Sequence, residues 1–375
     1  VNRRRTTAVA PLAAAALLTV SAPVAAAGGG QPGGGTDSVQ RQLDRLVGEH
    51  GVPGVLARTE SRTWTAGTAE TGSGRPMVGA DGSVRVAGNT KSFTAVAVMR
   101  LVTERQLGLT DRAGRYVPQL ADSRVTVRQL LNQTSGLPEH VAHMDWADQD
   151  QTAEDLLALA LAQEPAFEPG AEWGYSHTNY LVLGMIIERV TGEDFRTYVE
   201  DTILRPLHMD ATYWPERGEL GLRGPHAHNY GVHPADPEAG PTDLTDLPGH
   251  LFGASGGLVS TPEDLNTFWR ALFDGRLLPR WAVWLMTHDT SAIGGDGMHP
   301  AGTRYGYGVA SFPLSCGGVY WGHGGDLPGD SVAGGHVPGP DGGTVTVYTT
   351  SMAMPGEARD RLHAAADAAL CTTPR

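Results

Sequence analysis

Lysine is almost missing from this chain. Of its 28 basic residues in 375, one is lysine, Lys91, and the others are arginine. Basic charge as a whole is scarce: 41 acidic residues leave a formal net charge of -13. No basic face is large enough to hold a phosphate backbone, so nucleic acid is not an expected partner. Cysteine is scarce too, with Cys316 and Cys371 alone, which excludes a cysteine-rich zinc or disulfide scaffold. A phosphate loop, a dinucleotide fingerprint and a Gly-x-Ser-x-Gly nucleophile elbow are all absent. The nearest approach to the elbow, Gly253-Ala254-Ser255-Gly256-Gly257, reads as a loop before a helix capped by Thr261. His140 and His143, and the group His226, His228 and His233, fall in Pro- and Gly-rich loops without a cysteine or carboxylate ligand pattern. They read as solvated histidines, and neither a metal nor a cofactor is expected.

What is present is globular. Hydrophobic residues make up 40% and charged residues 18%, with 50 Gly and 25 Pro, enough for a large core in one or two domains. That excludes a coiled coil, a collagen-like fibre and a mainly disordered chain. Residues 1–27 read as an export signal: Arg3, Arg4 and Arg5, then an apolar stretch from Ala8 to Val20, then the small residues Ala25, Ala26 and Ala27. The stretch is too short and too Ala-rich for a membrane anchor, so a secreted protein is expected. Residues 28–36 read as a flexible glycine-rich linker. In an exported chain the two late cysteines predict one disulfide, Cys316–Cys371, tying the last helix to a nearby strand.

From 37 to 375 the periodicities describe one domain. A helix is predicted over Asp37–His50 with Gly51 as its stop, then strands at Gly54–Glu60, Thr63–Gly67 and Val84–Ala87. A helix follows at Asn89–Gln106. The region from about 110 to 250 reads as helices and loops, with Val127–Asn132 and Tyr180–Thr191 as its clearest helices. Strands return at Tyr305–Ser311, Gly318–Gly322, Ser331–His336 and Thr344–Thr350, before a last helix at Pro355–Leu370. Strands at both ends with helices between predict an α+β fold: one sheet completed by both termini, with a mostly helical insertion.

Lys91 stands one turn into the second predicted helix, in Gly88-Asn89-Thr90-Lys91-Ser92-Phe93. The helix N-terminus and burial both lower an ammonium pKa there. A lysine so tuned can take a proton, which arginine cannot, because its guanidinium does not deprotonate in proteins.

Residues 85–94, RVAGNTKSFT, resemble the active-site segment of the penicillin-recognising serine enzymes, which include DD-peptidases, class C β-lactamases and related esterases. Val125–Pro138, Phe167–Asn179 (FEPGAEWGYSHTN), Ala254–Leu265, Tyr305–Val309 and Trp321–Gly325 (WGHGG) resemble further segments of that family, in the family's order, across about residues 38–370. The resemblance implies a β-lactamase/transpeptidase-like fold: an antiparallel sheet flanked by helices, with a helical region inserted and the cleft between them. It implies that Lys91 matches the lysine of Ser-x-x-Lys, that Tyr175 matches the proton-shuttling tyrosine, and that His323 with Gly325 matches the third motif beside the cleft. The backbone N–H groups of residue 88 and Asp326 would then form an oxyanion hole.

Three positions depart from that pattern. Gly88 stands where the nucleophilic serine belongs, so no acyl-enzyme can form through this position. Ser92 and Thr90 are near in sequence but are expected to sit wrongly for rescue. Any residual turnover would rest on Lys91 and Tyr175 activating water directly. His177 replaces the usual asparagine of the Tyr-x-Asn motif, and its imidazole differs in shape and protonation. Gly324 and Asp326 replace hydroxyl residues that grip a substrate carboxylate, and Asp326 is expected to repel one, favouring an ester, a neutral amide or a cationic ligand. The expected function is that of a secreted serine-hydrolase relative, D-alanyl-D-alanine carboxypeptidase- or esterase-like, impaired at Gly88. The alternative is a non-catalytic protein that binds a peptide, ester or cell-wall-derived fragment in the same cleft.

Overall fold

A computed structural model describes residues 37–295, 298–339, 342–352 and 356–372; the segments expected to be an export signal (1–27) and a linker (28–36) lie outside the described residues. The first helix, α1 (Ser38–His50), puts Val39, Leu43 and Leu46 on one buried face. Asp37 caps its first turn through the Val39 N–H, and Gly51 ends it in the left-handed conformation.

The sheet has eight antiparallel strands: β1 (Gly54–Arg58), β2 (Thr63–Gly67), β3 (Ser291–Ala292), β4 (Arg304–Tyr305), β5 (Ala310–Pro313), β6 (Val319–Leu327), β7 (Asp330–His336) and β8 (Thr344–Thr349). Their spatial order is β2-β1-β8-β7-β6-β5-β4-β3, so the N-terminal hairpin pairs with the last strand, as the strand distribution in the sequence implies. Strand β8 is buried along its whole length, and its two-residue period divides two cores. Val345 and Val347 pack with α1 and the C-terminal α5 (Glu357–Thr372) on one face. On the other, Tyr348 joins the larger core and Thr346 donates to Asn266 (2.9 Å) of α4 (Pro262–Phe273). The larger core also holds α2 (Thr90–Thr103) and α3 (His177–Thr191), where Phe93 stacks on Phe268 with ring centroids 3.8 Å apart.

Two differences from the sequence reading bear on the site. The strand expected over Tyr305–Ser311 is two, β4 and β5, because Gly308 turns the chain at φ 66° and is fixed there by Ser92 Oγ, which donates to its carbonyl (2.6 Å). The strand expected to stop at Gly322 runs on to Leu327. Strand β5 pairs with it only from Val319 to Gly322, so from His323 onward that edge is free to face the start of α2. Helices Ala153–Leu161 and Arg280–His288 also form beyond those singled out in the sequence, the first opened by a Thr152–Asp155 capping box.

Cys316 and Cys371 form the expected disulfide, closing 55 residues between the β5–β6 connection and α5. A loop of that length implies about 4 kcal/mol of stabilisation on the chain-entropy relation. The Cys316→Ser, Cys371→Ser double variant should therefore melt several degrees lower than the oxidised protein in a thermal scan. Adding a reductant should lower the melting point of the parent only.

Candidate active site

The chain enters α2 through a single tight turn, Ala87–Asn89, and Ala87 adopts φ 45°. A left-handed alanine costs about 1 kcal/mol or more, and such strain concentrates at functional positions. Lys91 follows one turn on and is fully buried. Its Nζ donates to the Ser255 carbonyl (2.7 Å) and lies 4.6 Å from the Tyr175 ring centroid. Burial lowers the ammonium to about 7, with Glu139 pulling the other way, so the neutral amine is well populated at neutral pH. The neighbouring hydroxyls are committed elsewhere: Ser92 to Gly308, and Thr90 Oγ1 as acceptor of the Leu258 N–H (3.2 Å).

Gly88 sits where Tyr175, His323 and Gly324 converge. A Cβ placed on it would stand 2.6 Å from the Gly324 carbonyl oxygen, 3.0 Å from the Tyr175 hydroxyl and 3.1 Å from His323 Cε1. The opposing Gly325 is equally constrained: a Cβ there would meet the Val86 carbonyl at 2.3 Å and the Gly88 nitrogen at 2.8 Å. Strand β6 therefore lies directly against the turn that starts α2, and a side chain at either glycine would have to push the two backbones apart.

Tyr175 and His177 are placed by Gln133 and Glu139, which the sequence reading did not single out. Gln133 accepts from the Ser176 N–H (3.1 Å) and from the Asn179 side-chain amide, and its own carbonyl accepts from Gly174 (3.0 Å). Ser176 caps α3, so His177 occupies its first turn, three residues earlier than the predicted helix start. Glu139 accepts from both the backbone N–H (2.8 Å) and Nδ1 (2.9 Å) of His177. Burial works against the Glu139 carboxylate, but the hydrogen bonds from His177 and from the Val141 N–H (2.9 Å) outweigh it and hold it well below the usual carboxylate range. The His177 imidazole is itself lowered, by burial first and by Lys91 second, so it is neutral at pH 7 with its proton on Nδ1, facing the carboxylate. Tyr175 is partly exposed (37%), yet desolvation of its phenol by the packed groups around it raises it above its ordinary value, and Tyr305, Glu139 and Asp326 add to the rise.

His323 is buried on β6 with both ring nitrogens engaged, Nε2 with the Tyr305 hydroxyl (3.0 Å) and Nδ1 with the Gly324 carbonyl. Burial lowers it to about 3, a neutral ring at any ordinary pH. Asp326 differs from its expected behaviour. Its carboxylate is paired with Arg359 of α5 (2.5 Å), whose side chain is buried, and it accepts from Ser331. It is not the free negative charge that the sequence suggested, so the expected repulsion of a substrate carboxylate is largely cancelled.

These residues line one cavity of about 320 Å³, walled by Trp173, Tyr175, Tyr305 and Phe312 on its apolar side, with Gly88, His177, His323 and Asp326 at its floor. Lys91 is not among its lining residues. His177 and Asp326 also border a second cavity with Met144, Trp146 and Phe252, so the two form one cleft with His177 at the junction. Among the described residues no cluster of His, Cys, Asp and Glu is arranged to hold a metal; His228 instead pairs with Asp243 (2.6 Å).

A family model described as Beta-lactamase matches residues 39–370. The chain belongs to the Beta-lactamase family. Among solved structures, a D-stereospecific amidohydrolase from a Streptomyces species is 32% identical, with a TM-score of 0.75 over 88% of this chain and 97% of that one. The D-amino acid amidase of Ochrobactrum anthropi SV3, complexed with D-phenylalanine, is 27% identical, with a TM-score of 0.75 over 89% and 97%. Penicillin-binding protein 4* of Bacillus subtilis is 31% identical over 55% of this chain, and Protein flp of Staphylococcus aureus 34% identical over 34%. The chain spans less than half the length of these two curated relatives, 48% and 27%. The β-lactamase fold thus puts Gly88, Tyr175, His177, His323 and Gly325 around one cleft, with Lys91 buried behind it.

Proposed function

We propose that this β-lactamase-family protein is an exported hydrolase relative whose cleft receives an ester, an amide or a short peptide, and whose acyl-enzyme route is closed at Gly88. The observation that carries this reading is the geometry at Gly88. The helix entry, the strained Ala87, the buried low-pKa lysine and the tyrosine hydroxyl are all in place, while the nucleophile position has no side chain and faces the Gly324 carbonyl too closely for one to be added without movement. The D-stereospecific amidohydrolase and the D-amino acid amidase match along nearly their whole length and support an amide or ester of a D-amino acid as the ligand class. Export is supported by the basic and apolar N-terminal segment and by the Cys316–Cys371 disulfide, which suits an oxidising compartment.

A second reading, a binding protein without turnover, is favoured by the approach of Gly324 to Gly88, which occupies the space a serine would need. Intact-mass spectrometry tests the shared premise. Incubated with D-phenylalanine p-nitrophenyl ester or a penicillin, the protein should gain no acyl mass. A stoichiometric adduct would show that another residue serves as nucleophile and would end this reading.

A further inference from the structure

Position 177 does not simply lose an asparagine; it gains a different apparatus. Of the three histidines whose hydrogen bonds define this region, His323 has both ring nitrogens engaged, and His140 is buried with Nδ1 on Thr178 (3.0 Å). His140 also lies 3.7 Å from Glu139 and has an unpartnered Nε2, but it borders neither cavity; His177 is hydrogen-bonded to the carboxylate through Nδ1, has no partner on Nε2 among the described residues, and lines the cleft. Its ring borders both halves of the cleft and is braced edge-on against Tyr175, with centroids 5.3 Å apart and planes at 86°. A carboxylate that fixes the Nδ1–H tautomer and leaves Nε2 as a free acceptor, on a ring that lines the cavity, is the arrangement of an oriented general base. Lys91, by contrast, is turned to Ser255 and away from the cavity.

We propose that His177, oriented by Glu139, activates water for direct hydrolysis of an ester in this cleft, without a covalent intermediate. This rests on the reading above that Gly88 closes the acyl-enzyme route. Nε2 takes one proton from a water molecule, and the water oxygen bonds to the carbonyl carbon. The carbonyl π pair moves onto oxygen beside Gly88 and Asp326, which line the cavity and whose N–H groups the family resemblance assigns to the oxyanion hole. When that pair returns, the carbon–oxygen bond to the alcohol breaks, and the leaving oxygen takes the proton from Nε2, giving acid and alcohol. The substrate class follows from the walls. Trp173, Tyr305 and Phe312 suit an aromatic acyl group, and the Asp326–Arg359 pair leaves the floor close to neutral. Esters rather than amides are expected, because an alkoxide or phenoxide departs more readily than an amide nitrogen, which must be protonated before it can leave, and no acyl-enzyme is available to divide the harder reaction into steps.

The test uses p-nitrophenyl phenylacetate and the full chain. Hydrolysis above buffer background should show no burst and no acyl mass. Its kcat/KM should rise as His177 loses its proton below pH 6.5, with a second, smaller inflection near pH 7 where Lys91 loses the charge that bears on His177. His177→Asn should lower kcat at least about 100-fold, the size of a lost general base, and Glu139→Gln about 10-fold. His177→Gln is the second substitution, and thermal melts of all three variants exclude unfolding as the cause. Parent rates in His177→Asn and His177→Gln would overturn the proposal, as would a rate in the parent equal to background. In the latter case saturable quenching of tryptophan fluorescence by the ester would leave the closed-route reading standing. An acyl adduct on the parent would instead overturn that reading itself.

Discussion

Gly88→Ser should gain a burst of p-nitrophenol from p-nitrophenyl phenylacetate and a matching acyl mass, and it should melt several degrees below the parent. The two effects have one cause. The new Cβ arrives 3.0 Å from the Tyr175 hydroxyl, and Lys91 Nζ lies 4.6 Å from the ring centroid of that tyrosine, so a serine Oγ would pass its proton to Tyr175 with Lys91 behind it. Covalent catalysis then becomes available, with a gain over the parent of about 100-fold or more when nucleophile and base act together. The same Cβ stands 2.6 Å from the Gly324 carbonyl, a separation that carbon and oxygen do not tolerate, so β6 must move off the start of α2 by several tenths of an ångström. Gly325 already touches Val86 and Gly88 from the other side, so the movement disturbs packing along the whole contact. Overpacking of this kind costs about 1–3 kcal/mol. Gly88→Ala separates the two effects: it should lose the same stability and gain no burst. Equal kinetics in the serine and alanine variants would show that the remaining machinery no longer activates a hydroxyl at this position.

Much of this was legible in the sequence, for reasons that differ by residue. Lys91 stood out because one lysine among arginines is a chemical distinction, and Gly88 because motif spacing fixes its place relative to Lys91. The helices α1 and α4 were readable from local caps, Asp37 with Gly51 and Thr261 with Pro262, which act within a few residues. The partners of the site were not readable. Glu139 reaches His177 across 38 residues, and Arg359 reaches Asp326 across 33, and neither pairing leaves a periodic trace. Charge at Asp326 was therefore misjudged from its type alone, since a carboxylate's effect depends on what it faces. The extension of β6 to Leu327 was hidden for a related reason: Gly324 and Gly325 weaken any strand propensity, and the strand persists there because β7 and the turn into α2 hold it from both sides. Local rules thus located the chemistry, while the tertiary contacts decided which protonation states and charges it carries.

Lys91 itself sets the second large expectation, that replacing it stabilises the protein in a pH-dependent way. In the unfolded chain its ammonium titrates near 10.5; in the fold, burial brings it to about 7. Below pH 7 the folded protein must hold a buried ammonium at full cost. Between 7 and 10.5 the unfolded chain binds a proton that the folded one does not, so the parent gains stability as pH rises through that window. A fall from 10.5 to about 7 corresponds to about 5 kcal/mol, at about 1.4 kcal/mol for each tenfold change in proton affinity. Lys91→Met keeps the length of the side chain and removes the charge. It leaves the Ser255 carbonyl without its donor, which returns about 1–2 kcal/mol of the gain. The variant should therefore melt about 5 °C or more above the parent at pH 6, and the difference should shrink steadily toward pH 10. Thermal scans of both proteins across that range decide the matter. A lysine whose ammonium is not depressed by the fold would give a difference that does not change with pH. Lys91 is held at this energetic cost one turn from the position where the family carries its nucleophile, where an arginine could never present a neutral nitrogen.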